Sequence, residues 1–249
     1  MKIYNSGKKI LLKKIHPYLK QISNGGIVLD LGCGTGDLVR YLANRYQRLN
    51  FIAADIHRPT LNYAKQFKQK NVSYINNTED KIPLNNNSVD FLYCTEVIEH
   101  VEDDKAFIKE LRRVLKKNSF TVITTPNLDK VPFENTNPDH KRHYPVKKLT
   151  ELFGSEKFNI INVDYRWPKI SRKIDSFINR MKEKKFHPKN FQPCVTAIDK
   201  KRKSNLKFKI FLLLFDTICN PFISLITLID YKINASKEKY NIILTCQKN

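Results

Sequence analysis

Residues 28–36 read V-L-D-L-G-C-G-T-G, and this stretch limits the folds open to the chain more than any other. Ile27, Val28, Leu29 and Leu31 form a short apolar run of the kind buried in a parallel sheet. Three glycines then alternate at Gly32, Gly34 and Gly36, and an amphipathic stretch follows. Glycine tolerates positive φ and lets a ligand approach the backbone. A strand that passes through a glycine turn into a helix leaves free N–H groups at its carboxyl edge, where open α/β sheets bind ligands. Asp30, just before the first glycine, makes the pattern much sharper than glycines alone.

The rest of the chain alternates strand and helix signals. This predicts an α/β fold, a Rossmann-like, doubly wound, mostly parallel sheet of seven strands. Strands are expected over 27–31, 50–55, 72–75, 89–94, 120–125, 158–163 and 241–246, and helices over 8–22, 36–45, 59–68, 103–115 and 146–153. A chain of 249 residues suits one domain with a good core. Between the sixth and seventh strands, residues 166–239 read as an insertion, basic at first and then apolar.

Charge is the other unusual property. Lys and Arg number 45 against 24 Asp and Glu, a net charge of +21. Residues 166–239 hold 18 basic and 6 acidic residues. Such an excess points to a polyanionic partner, either an anionic membrane surface or RNA, with compositional drift as the plain alternative. The run 210–229 is about long enough to span a bilayer. Asp216 near its middle would cost roughly 2.5–3.5 kcal/mol there. Asn220-Pro221 divides it, and the last strand must return to the same sheet. It reads instead as a helical hairpin over the substrate pocket, or as a segment dipping into a membrane surface beside Lys200, Lys201, Arg202 and Lys203. Trp167, Phe177, Phe186 and Phe191 would suit stacking on bases. Five scattered cysteines form no metal spacing and suit a reducing cytosol. The N-terminus lacks the apolar core of a signal peptide. The expected location is cytoplasmic, with a peripheral position on the inner face of a membrane as the alternative.

The motif D-x-G-x-G-x-G after an apolar strand resembles the first motif of class I S-adenosylmethionine (SAM) methyltransferases. The dinucleotide fingerprint fits less well, because the third glycine falls one residue early. The resemblance implies SAM as cofactor, with Gly32, Gly34 and Gly36 along its methionine part and Asp30 attracting the ammonium. Asp55 ends the second strand, about twenty residues on, where a carboxylate accepts hydrogen bonds from ribose hydroxyls. Ile56 behind it would pack on the adenine. Related enzymes place an Asp after the third strand for the adenine amino group. This chain has Thr78 there, with Glu79 adjacent.

The fourth strand runs into Thr95-Glu96-Val97-Ile98-Glu99-His100. In a helical turn Glu96 and Glu99 would share a face, and His100 would join them. Two carboxylates and an imidazole suit Mg²⁺ or Mn²⁺, or a mixed site for Zn²⁺ or Fe²⁺. The later stretch D-H-K-R-H-Y offers His140 and His143. E-x-x-E-H, T-P-N and a later His together resemble two metal-dependent O-methyltransferase groups, the ubiquinone-biosynthesis type and the small-RNA 2′-O type. The resemblance covers roughly residues 27–153. It implies a divalent metal on Glu96, Glu99, His100 and a later His, with His140 matching better than His143. The same segment also suits metal-free chemistry in which His100 or His143 takes the acceptor proton beside Glu96, or a purely structural role. The expected activity is methyl transfer from SAM to a hydroxyl of a small-molecule, lipid-linked or glycan acceptor. The alternatives are an RNA 2′-O-methyltransferase and a non-catalytic scaffold. Oligomeric state is not legible.

Overall fold

The computed structural model describes residues 6–130, 139–166 and 240–249. The chain divides into two compact units. One, chiefly residues 11–166 and 239–249, carries the sheet. The other, 3–10 and 167–238, lies almost wholly outside the described residues, and so do the expected insertion and its apolar run 210–229. Among the described residues no helix is long and apolar enough to cross a membrane.

Seven strands form one sheet: β1 (Ile27–Leu31), β2 (Asn50–Asp55), β3 (Val72–Asn76), β4 (Val89–Thr95), β5 (Leu115–Pro126), β6 (Phe158–Arg166) and β7 (Asn241–Lys248). Their order is β3-β2-β1-β4-β5-β7-β6. The first five run parallel, and β7 is antiparallel to both of its neighbours. The order reverses between β1 and β4, which opens a crevice at their carboxyl ends. Asp30 stands in register between Ala53 of β2 and Tyr93 of β4, just below that crevice.

The helices are α1 (Ser6–Gln21), α2 (Asp37–Arg45), α3 (Arg58–Lys65), α4 (Asp104–Val114) and α5 (Val146–Ser155). Their apolar stripes explain their placement. In α4, Phe107, Ile108, Leu111 and Val114 recur at helical spacing and are buried. Its start is fixed by Asp103, whose side chain accepts a hydrogen bond from the Ala106 N–H at 2.9 Å. The central strands are apolar on both faces, and Leu29, Phe51, Leu92, Ile123 and Leu244 are essentially inaccessible. Cys94 and Cys246 are buried free thiols within this core.

The expected elements are all present, with shifted ends. The largest shift is in β5, which begins at Leu115 rather than at residue 120. Lys116, Lys117, Asn118 and Ser119 give this start no strand signature, yet the chain leaves α4 directly into the sheet. A second difference lies after β4. The backbone does not turn helically from Glu96 onward; only Ile98–His100 is helical, as a single 3₁₀ turn. Leu92 sits at the centre of this packing, so Leu92→Ala should lower the unfolding free energy by about 2–5 kcal/mol in urea titrations. A loss below about 1 kcal/mol would mean that β4 is not central.

Candidate active site

The glycine turn is held from below and from the side. The N–H groups of Gly32 and Cys33 both donate to the Ala54 carbonyl of β2, at 2.8 and 3.0 Å. The Gly34 N–H donates to Asp55 Oδ2 at 2.7 Å, and the His57 N–H donates to Asp55 Oδ1 at 2.8 Å. Asp55 therefore ties the turn to the start of α3. Each of its oxygens keeps a lone pair for a further donor.

The three glycines serve different purposes. All have positive φ, at 77°, 52° and 73°. A Cβ on Gly32 would stand 2.2 Å from Val97 Cγ2, so the loop after β4 packs directly on this residue. A Cβ on Gly34 would meet nothing within 4 Å. Gly36 begins α2 in a left-handed conformation and lies against Arg40, whose guanidinium donates to the Thr35 carbonyl at 2.6 Å. A side chain at Gly32 or Gly36 would thus run into the protein's own side chains, while one at Gly34 would stand in open space.

A cavity of about 520 Å³ opens above the crevice. Its walls include Gly32, Asp55, Ile56, Asn77, Thr78 and Glu79 at one end, and Glu96, Val97, His100 and Asp139 at the other. Asp30 is not among these wall residues. It is buried to 2 % exposure, and burial first, then Asp30 and Asp55, push the Cys33 thiol upward, so both carboxylates act on one turn.

At the first end Ile56 is an apolar side chain left 52 % exposed. The Thr78 hydroxyl is engaged locally, accepting from the Lys81 N–H at 3.1 Å. Sequence reasoning missed the residue before it. Asn77 Oδ1 is shielded from solvent and accepts no hydrogen bond. Asn76 was also missed; its amide donates to the carbonyls of Asp55 and Ile56 and sets the chain's direction there.

At the second end Glu99, His100 and His140 come together, and their ligand atoms all lie within 4.8 Å of one another. The loop carrying His140 is brought over by backbone: the Lys141 N–H donates to the Glu99 carbonyl at 2.7 Å. His100 Nδ1 lies 3.0 Å from the Asp139 carbonyl, and His140 Nδ1 lies 2.9 Å from His143 Nε2. Glu99 is fully buried. Its Oε2 accepts from the Thr125 hydroxyl at 3.1 Å, and its Oε1 has no hydrogen-bond partner. Burial, and next the Glu96 charge, push its carboxyl well above the usual range. Burial, then His100 and His143, hold the His140 imidazole below its ordinary value, which favours the neutral form that binds metals.

Glu96 lies apart from this cluster. Its φ is 56°, in the left-handed region, so it does not share a face with Glu99. Its Oε1 ion-pairs with Arg166 at 2.7 Å and accepts from the Thr124 hydroxyl at 2.8 Å. Its Oε2 accepts from the Asn241 amide at 2.7 Å. Arg166, Thr124 and Asn241 carried no signal in the sequence, because they reach Glu96 from other strands. His143 is 5 % exposed and stands behind His140, away from the cavity walls.

A sequence family described as a methyltransferase domain matches residues 29–123. The chain is 34% identical over 123 residues to a ubiquinone biosynthesis O-methyltransferase of Rickettsia typhi, covering 48% of each. It is 31% identical over 161 residues to an uncharacterized protein of Methanocaldococcus jannaschii, covering 64% of this chain and 67% of that one. A malonyl-[acyl-carrier protein] O-methyltransferase of Marinomonas is 27% identical over 168 residues, covering 64% of this chain and 62% of that one. The chain spans about half the length of the ubiquinone-biosynthesis relative. Among solved structures, a SAM-dependent methyltransferase from Aquifex aeolicus superposes with a TM-score of 0.53 at 23% identity, covering 65% of this chain and 84% of that one. Phosphoethanolamine N-methyltransferase 2 of Haemonchus contortus, in complex with SAM, gives 0.63 at 16%, covering 97% of this chain and 52% of that one. These two likenesses establish the fold.

The contact between Gly32 and Val97 yields a test. Gly32→Ala should destabilise the protein by about 1–3 kcal/mol, through both the clash and the positive φ. Adding Val97→Ala should recover only part of that loss in thermal unfolding, since the backbone strain remains. Full recovery would show that the clash alone requires glycine.

Proposed function

We infer the activity of this chain from the family to which it belongs, the class I SAM-dependent methyltransferases. The reading is methyl transfer from SAM to a hydroxyl of a small-molecule or lipid-linked acceptor. One observation carries it: a single cavity has the Asp55-bound glycine turn at one end and the Glu99, His100 and His140 cluster in and beneath the other.

The residues present fit the cofactor. Asp55 offers two oxygens to the ribose hydroxyls. Ile56 offers an exposed apolar surface to the adenine, and Asn77 lines the cavity next to Thr78, where the related enzymes have an Asp. SAM supplies, when bound, a methyl group on a sulfonium. Transfer to an oxygen that has given up its proton would annihilate charge, so the apolar walls Leu31, Val97, Val101 and Phe107 would help by excluding water.

The donor set also fits a divalent cation. Glu99, His100 and His140 would hold it, and it would lower the pKa of a bound hydroxyl and fix its direction. With Glu96 drawn off by Arg166, the set holds one carboxylate and two imidazoles. That favours Mn²⁺, Fe²⁺ or Zn²⁺ over Mg²⁺. Glu96 instead lines the cavity as a fixed acceptor, aligned by Arg166 and Asn241 to receive a hydrogen bond from the substrate hydroxyl. The names of the two O-methyltransferase relatives support an oxygen acceptor of small-molecule or carrier-bound type over RNA. The engaged glycine turn and the open cavity speak against a scaffold without activity.

Asp55→Ala should weaken SAM binding by roughly tenfold or more in calorimetry, the loss of a charged acceptor being worth about 1.5–3 kcal/mol. Unchanged affinity would remove Asp55 from the cofactor site. His140→Ala and Glu99→Gln should each abolish Mn²⁺-stimulated transfer of radiolabel from SAM to a catechol acceptor while leaving SAM affinity within about threefold. Full activity of the wild type in excess chelator would remove the metal from the reaction. Label entering RNA rather than the lipid or small-molecule fraction of an extract would overturn the acceptor class.

A further inference from the structure

A second cavity, of about 460 Å³, lies at the opposite, amino edge of the sheet. The C-terminal half of α4 supplies Lys109, Arg112 and Arg113. Lys157 follows α5, and Lys248 ends β7. Glu156 is the one carboxylate among its wall residues.

These cations are not equivalent. Arg113 is used within the fold: it ion-pairs with Glu110 and donates to the Ile82 and Leu84 carbonyls at 2.8 Å. Arg113 thus ties α4 to the loop before β4. Arg112 has no such duty. Its Nε is shielded from solvent and has no partner, and among the described residues no hydrogen bond or ion pair engages the rest of its guanidinium. Lys248 is only 7 % exposed. Its Nζ donates to Asn87 Oδ1 at 2.7 Å and to the Leu115 carbonyl at 2.6 Å, which leaves one of its three N–H donors. Burial, and next the Arg112 charge, press the Lys248 ammonium below its ordinary value. Two cations thus stand close together, one of them buried, without a counter-charge between them. Lys109 and Lys157 add exposed ammonium groups at the rim.

We propose that this cavity binds a phosphate monoester or an equivalent dianionic oxyanion, held by Arg112 and Lys248 with Lys109 and Lys157 at the rim. A guanidinium presents a planar fork of donors that matches two oxygens of a phosphate, and an ammonium adds a point charge beside it. The site is separate from the methyl-transfer cavity. The seven residues of β4 run between the two edges and set them roughly 20 Å apart, at ~3.3 Å per residue. The phosphate is therefore remote from the reacting atoms, and the inference stands whether or not methyl transfer occurs.

The source is either a free phosphomonoester or a phosphomonoester lipid headgroup, and two measurements on the full chain separate them. Inorganic phosphate is titrated by calorimetry at constant ionic strength, and co-sedimentation is measured with phosphatidic acid vesicles against phosphatidylcholine vesicles. At least one ligand should bind saturably, and Arg112→Gln should weaken it tenfold or more. Lys20→Gln, which removes the same charge from an exposed position on α1, should leave it unchanged. SAM affinity serves as the check that each variant is folded, and the exposed Lys157→Gln gives a second reading, with a smaller loss expected. Phosphate binding assigns the free source, and vesicle binding alone assigns the headgroup. No saturable binding of either ligand, or equal losses in Arg112→Gln and Lys20→Gln, would overturn the site.

Discussion

The carboxylate of Asp55 joins backbone that would otherwise meet only through solvent. One oxygen takes the N–H of Gly34 and the other takes the N–H of His57. A turn with three positive-φ residues gains no regular hydrogen bonds of its own beyond Gly36 N–H to the Cys33 carbonyl. Its shape depends on acceptors from β2, namely Asp55 and the Ala54 carbonyl. The floor of the cavity is thus built before any ligand arrives, and cofactor binding need not order it. Preorganisation of this kind lowers the cost of binding and keeps affinity for the ligand's own contacts.

The segment Glu96 to His100 shows how one motif is divided between two tasks. A left-handed residue that is not glycine costs of order 1–3 kcal/mol and persists only where its surroundings over-determine it. Glu96 is over-determined by Arg166, Thr124 and Asn241, each from a different strand. The kink turns Glu96 toward β5, β6 and β7, while the following 3₁₀ turn sends Glu99 down toward Thr125 and His100 toward Asp139. Two carboxylates three residues apart, which a helix would have stacked, are aimed at different groups. The price is strain at Glu96, and the return is a metal-capable cluster and a separate fixed acceptor.

The alternation of strands and helices was legible because each buried strand and each amphipathic helix carries its own period. The glycine turn and Asp55 were legible because their spacing is local. What escaped was set by distance. The start of β5 is polar and reads as a loop; it joins the sheet through Leu115 opposite Val89 of β4, and regular pairing with both neighbours begins only at Phe120. The pairing of β7 between β5 and β6 leaves no trace in its own residues. Asn241 reaches Glu96 across 145 positions, so Glu96 was grouped with Glu99 and His100 on local spacing alone. Thr78 was chosen by its register to Ile82-Pro83-Leu84. Its neighbour Asn77 has the unengaged oxygen because the Thr78 hydroxyl closes its own turn.

The antiparallel strand explains why the two edges of the sheet differ in charge. In an all-parallel sheet every strand would begin at the amino edge and end at the carboxyl edge. β7 is reversed, so Asn241 arrives beside Glu96 at the carboxyl edge and Lys248 arrives beside Arg112 at the amino edge. At the first edge a neutral amide steadies a carboxylate, and the carboxylates and imidazoles form a donor set for cations. At the second, an ammonium is added beside a helix end whose Arg113 is already committed to Glu110 and to the Ile82 and Leu84 carbonyls. The cations there exceed what the fold consumes, and a buried guanidinium nitrogen without an acceptor is a cost that folding alone does not require. An anion drawn from solution would offset it, which makes the amino edge complementary in sign to the site at the other end of the same strands.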